Sequence, residues 1–183
     1  MNKIVLSLLA LFISNSVFSQ GNEWEWNEHT KDVAYEAPNS KFAKKWFVWE
    51  ERKNNYSCLN LSPNGIVKLI SEEMEEGIPY TTTLSGTWKR SEKMLIVCNF
   101  TNVSYVADKD VYAKLSLRRR DDIQKTFTLI KTMWKKKYPQ GLKLIYDIYM
   151  VDDDHLLIKE KRTSVFDRLI SESLKKQREG GVQ

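Results

Sequence analysis

The sequence predicts an all-β fold, an antiparallel up-and-down barrel of eight or nine strands with a C-terminal amphipathic helix. Three observations predict it. Short runs rich in β-branched and aromatic residues follow one another from Trp46 to Arg162. Turn residues punctuate them closely, at Ser62-Pro63-Asn64-Gly65, Ser91-Glu92-Lys93, Pro139-Gln140-Gly141 and Asp152-Asp153-Asp154. The pattern changes only after Thr163, where Val165, Phe166, Leu169, Ile170 and Leu174 recur at helical spacing. A sandwich fits the same strand count, but closing a barrel removes the exposed edges that a meander otherwise leaves.

Residues 1–19 combine Lys3, an apolar run from Ile4 to Ile13 and the small residue Ser19, which is the pattern of a secretory signal cut before Gln20. The apolar run is shorter than the roughly 20 residues that span a membrane. The expected location is therefore periplasmic or secreted. Residues 20–45 are a polar and aromatic arm with a helical turn from Ser40 to Lys45, and the barrel is expected over 46–162. WFVWEER opens it. YSCLNL and IVKLIS form a hairpin across Asn64-Gly65. The acidic EEMEEG reads as a solvated connection to PYTTTLSGTWKR, which turns back into MLIVCNF. VYAKLSLR, KTFTLIKTMW, LKLIYDIYMV and HLLIKEKR read as the remaining strands, and 163–178 as the helix, capped by Thr163 or Ser164.

The hairpin LSGTWKRSEKMLIV, following an Asn-Gly turn, resembles the bacterial lipocalin-like domains of the calycin group. The likeness covers the strand order of 46–162, with identities at Asn64-Gly65 and Gly86-Thr87-Trp88; Lys44 stands where that family has a Gly two before its first-strand Trp. It implies a ligand-binding barrel, and a stacking contact of Arg162 on Trp46.

Alternation assigns the inward face. Leu142, Leu144, Tyr146, Ile148 and Met150 share one side of their strand, opposite Lys143 and Asp147. Val111, Ala113, Leu115 and Leu117 read as inward on theirs, Phe127 as inward with Leu129, and Leu156 and Ile158 as interior. Trp88 continues the Leu84 and Gly86 face. The candidate ligand-binding set is Trp88, Leu115, Phe127, Leu144, Tyr146 and Ile148. Such residues either fill the interior or surround one small hydrophobic or amphipathic molecule, which Tyr80, Tyr146 and Trp88 would orient.

Cys58 and Cys98 form a disulfide or pack as free thiols. His29 and His155 have no metal-site spacing, so no metal and no cofactor is expected. No nucleophile elbow or phosphate loop occurs, nothing brings Glu50, Glu51 and Asp147 together, and no catalytic residue is assigned. The net charge of +5 is mild, and the clusters Arg118-Arg119-Arg120 and Lys135-Lys136-Lys137 read as solvated loops or strand ends. Nucleic acid is not an expected partner. Trp24 and Trp26 form a candidate anchor for an envelope protein.

Overall fold

The computed structural model describes residues 35–36, 41–75, 77–91 and 95–181. The expected secretory signal and the expected Trp24 and Trp26 arm lie outside the described residues. The strands are β1 (Tyr35–Glu36), β2 (Lys45–Glu50), β3 (Asn55–Leu61), β4 (Ile66–Glu75), β5 (Ile78–Ser91), β6 (Leu95–Ala107), β7 (Leu142–Val151), β8 (His155–Glu160) and β9 (Phe166–Ser171). The helices are α1 (Lys109–Ala113), α2 (Leu117–Lys137) and α3 (Glu172–Gly180). Strands β2 to β9 pair in sequence order, all antiparallel, and β9 returns to β2, which closes an eight-stranded up-and-down barrel. Strand β1 adds to the far end of β5.

The Asn-Gly hairpin and the Gly-Thr-Trp strand are joined physically. Gly65 sits at φ 80°, as the turn demands, and its carbonyl accepts the Trp88 backbone N–H at 2.8 Å. The Trp88 indole donates to the Ser62 carbonyl at 2.8 Å. Gly86 lies at the bulge where β5 crosses β6. A Cβ there would sit 1.9 Å from the Asn99 carbonyl oxygen, so only glycine lets the two backbones approach.

Three expectations need correction. VYAKLSLR and KTFTLIKTMW are helical, not strands. Asp108 caps α1, accepting from Asp110 and Val111 N–H, and Ser116 caps α2, accepting from Arg119 N–H. Ile123, Phe127, Ile130 and Trp134 recur on one helical face and are buried, and the Thr126, Thr128 and Thr132 hydroxyls are absorbed by carbonyls one turn back. The assignment of Val111, Ala113, Leu115 and Leu117 to a strand face falls with it, and Leu129 is exposed. Second, the segment read as the start of the C-terminal helix is β9, and the helix begins only at Glu172, capped by Ser171. Barrel closure uses Phe166 to Ser171 before any helix can form. Third, Glu72, Glu73 and Glu75 belong to β4 instead of a connection.

The closing contact also differs. Arg162 lies in the β8–β9 turn at the opposite end of the barrel from Trp46, so no stacking joins them. Lys44 lies over the Trp46 ring instead, 4.7 Å from its centroid. Helix α3 runs along the outer face of β2 and β3, with Lys175 over the rings of Phe47 and Tyr56 and Glu172 paired to Lys45 at 3.4 Å. Among the described residues no helix is long and apolar enough to cross a membrane.

Candidate binding site in the barrel

Residues opposite one another in an antiparallel pair share a face, so the register traces the interior around the barrel. Trp46 pairs with Leu59, Leu59 with Leu69, Leu69 with Leu84 and Leu84 with Val103. Trp88 pairs with Cys98 and Cys98 with Leu144, and Ile96 pairs with Tyr146 and Tyr146 with Glu160. Ile158 pairs with Asp167, and Leu156 with Leu169. The strand stagger of a barrel thus sets Tyr146 beside Ile96 on one side and beside Glu160 on the other.

The two ends are built differently. At the base, where β2 starts and the β3–β4 turn lies, Phe42, Trp46, Leu61, Val67, Trp88, Ile96, Cys98, Phe100 and Leu156 are all sealed from solvent. Phe42 closes this end, its carbonyl accepting from the Trp46 indole at 2.9 Å and its ring lying under Arg90. Towards the mouth, where β2 and β8 finish, Val48, Leu69, Leu84, Tyr105, Leu144 and Tyr146 face the interior and still keep solvent-accessible surface.

Strand β6 outruns β7, which begins opposite Phe100. Beyond that point α2 takes the place of the missing strand. Phe127 meets Tyr80 and Tyr105, each with ring centroids 5.6 Å apart, on the inner face of the β5–β6 hairpin. Ile78, Tyr80, Ile123, Phe127 and Ile130 make this second apolar cluster, while Trp134, one face-turn further along α2, joins the barrel core. Arg120 holds the α1–α2 corner, donating to the Leu115 and Ala113 carbonyls and covering the Tyr112 ring.

The rim of the mouth is acidic and hydroxylic. Glu50 accepts from Ser57 and pairs with Lys53 at 2.7 Å; burial opposes its charge, but these two partners hold its carboxyl below the ordinary value. Glu73 accepts from the Tyr80 hydroxyl at 2.8 Å, and Lys53 reaches it at 3.9 Å. Burial, then the Glu73 charge, pushes the Tyr80 phenol far up, and the same two causes push Tyr105 up to about 12. Glu160 is raised by burial and by the Asp167 charge, with Arg162 partly offsetting. Asp167 is open to solvent yet flanked by barrel wall, and burial followed by the Glu50 charge raises its carboxyl. Tyr146, deeper, is held far above the ordinary phenol value by burial, with Cys98, Glu160 and Asp167 adding to it.

Of the six residues expected to surround a ligand, Leu144 and Tyr146 line the accessible part of the interior. Trp88 and Ile148 are interior but packed into the sealed core. Phe127 lies on α2 and Leu115 in the α1–α2 corner, both in the second cluster. Met150 lies beyond a bulge after Ile148 that turns Val151, opposite Leu156, onto the inner face. Cys58 and Cys98 are free thiols. Cys98 is inward and Cys58 outward beside α3, on opposite faces of the barrel wall, so no bridge joins them. Asp147 is on the outer face, paired with Leu95 and Lys159, and Glu51 is exposed, so neither joins Glu50. Asp152 caps its own turn, accepting from Asp154 and His155 N–H at 2.8 and 2.6 Å. The acidic rim was missed from sequence. Its one local signal is the alternation that puts Glu160 on the face of Leu156 and Ile158.

Comparison with known proteins gives no match: no family model fits the chain, and no curated protein or solved structure is significantly similar to it.

Proposed function

We propose that this chain is an exported, non-enzymatic binding module of the lipocalin-like kind, which takes one small hydrophobic or amphipathic molecule into the mouth half of its barrel. One observation carries the reading: Val48, Leu69, Leu84, Tyr105, Leu144 and Tyr146 face inward yet keep accessible surface, while the base is sealed. Apolar wall left wet forgoes about 25 cal/mol per Å², which an apolar ligand recovers. The polar rim suits a molecule with a hydrophilic end. The signal-like residues 1–19 support export, and the Asn-Gly and Gly-Thr-Trp hairpin supports the lipocalin-like likeness.

The test is native mass spectrometry of the protein purified from its own envelope fraction, followed by denaturing extraction. The reading expects a stoichiometric small molecule released on unfolding. An empty spectrum together with no thermal shift against apolar dyes overturns it. A second reading, protein interaction through the outer wall with the interior filled, is favoured by Tyr149, Val165 and Phe166, which are exposed together beside β9.

A further inference from the structure

The inward-facing ionisable groups of the mouth run against the charge of the protein. The chain carries a net +5, yet the register turns Glu50, Glu73, Glu160 and Asp167 to the interior side of the rim. Lys53 answers Glu50 and Glu73. Glu160 and Asp167 stand apart from it: among the described residues neither carboxylate forms an ion pair or a side-chain hydrogen bond, and Arg162 acts on Glu160 only at longer range.

A second group points into the same space. The Tyr146 side chain lies opposite Glu160 in the β7–β8 pair, on the accessible part of the interior, and its hydroxyl meets no hydrogen-bond partner among the described residues. The Thr82 hydroxyl, on the inward face between Ser71 and Tyr105, is buried and meets no hydrogen-bond partner among the described residues. Two carboxylates without an ion-pair partner, the Tyr146 hydroxyl and the buried Thr82 hydroxyl therefore face one interior.

We propose that the molecule's polar end is an organic cation, an ammonium or amidinium group, received by Glu160 and Asp167 with the Tyr146 oxygen as a third acceptor. The inference rests on the binding reading above. An ammonium carries several N–H donors and no acceptor, which matches a site made of acceptors. Its apolar remainder would lie against Val48, Leu69, Leu84 and Leu144. Among the described residues no three His, Cys, Asp or Glu side chains converge closely enough to hold a metal ion, and an organic cation can span acceptors set further apart.

The experiment compares decylammonium, 1-decanol and decanoate, of equal tail and each below its aggregation limit, by displacement of an apolar dye at neutral pH. The expected order is ammonium tightest, by about tenfold over the alcohol, with the carboxylate weakest. In the E160Q/D167N double variant the ammonium advantage should fall to within about twofold while the alcohol binds as before, which also reports that the variant is folded. Equal binding of ammonium and alcohol to the unaltered protein overturns the cationic end and leaves the pocket standing. Absence of any displacement overturns the pocket as well. Should the double variant fail to fold, the order of the three compounds on the unaltered protein decides alone.

Discussion

The base and the mouth of the barrel are built from the same eight strands, and they differ in what the inward residue at each position is. At the base it is a large apolar group: Trp46, Trp88, Phe100 and Leu61 meet across the axis and exclude water. At the mouth it is a hydroxyl, a carboxylate or a medium aliphatic: Ser57, Ser71, Thr82, Glu160, Leu69 and Val48. A small barrel has just enough room for side chains to fill it, so shrinking them at one end opens a space there. Sealed and accessible interior are thus separated along a single axis.

The largest test of this division is W88A. It removes a sealed ring and its hydrogen bond to Ser62, and urea denaturation should show a loss of about 3–5 kcal/mol. A loss under about 1 kcal/mol would mean that the base is not where stability resides. Next comes a matched pair of insertions on one strand face. Val67→Phe overpacks the sealed end and should cost about 1–3 kcal/mol, whereas Leu69→Phe, two residues towards the mouth, should cost less than about 1.5 kcal/mol. The second variant should instead weaken dye binding. If both cost the same and dye binding is unchanged, the two ends are alike.

The smallest effect is a dependence on pH. Glu160 and Asp167 have carboxyls raised above their ordinary values of 4.5 and 3.8, so their charged forms oppose folding. That opposition is complete above the raised values and vanishes as pH falls below the ordinary ones. The E160Q/D167N double variant should be at least as stable as the parent at pH 7, and the difference should disappear on acidification, as followed by thermal melts. Glu50 acts the other way, since its lowered carboxyl favours the fold above its ordinary 4.5 and loses that contribution as pH falls through the lowered value. A double variant that is less stable than the parent at pH 7 would show that the rim carboxylates hold the barrel together.

What could be read from the chain follows the range of the interactions involved. The Asn64-Gly65 turn and the Gly86-Thr87-Trp88 strand were legible because turn chemistry and alternation are local. Eight or nine strands were also expected, but from a different membership: two expected strands became α1 and α2, and β9, which was not expected, closes the barrel. In α2 the threonines argued for a strand, while the i, i+4, i+7, i+11 spacing of Ile123, Phe127, Ile130 and Trp134 argued for a helix. The hydroxyls' bonds to carbonyls one turn back remove the objection. At Phe166 to Ser171 the helical spacing was genuine, but the need of β2 and β8 for a partner prevailed. The acidic rim was illegible because Glu50 and Asp167 meet only through that closure.

The closure itself is narrow. Strands β2 and β9 are joined by Trp46 opposite Ser171 and Phe47 opposite Ile170, whereas β5 and β6 pair from Tyr80 to Ser91. These partners come from opposite ends of the barrel sequence, so their meeting carries the greatest loop entropy of any strand pair and is rewarded only after the others have formed. Folding kinetics should therefore show the β2–β9 seam forming last, behind the long central hairpin. Mutations at Ile170 should speed unfolding with little effect on refolding, while mutations at Val103 should slow refolding. In the native state the same seam should exchange its amide hydrogens first, and helix α3, which follows directly on β9, rests across β2 and β3 beside it through Lys175 and Glu172.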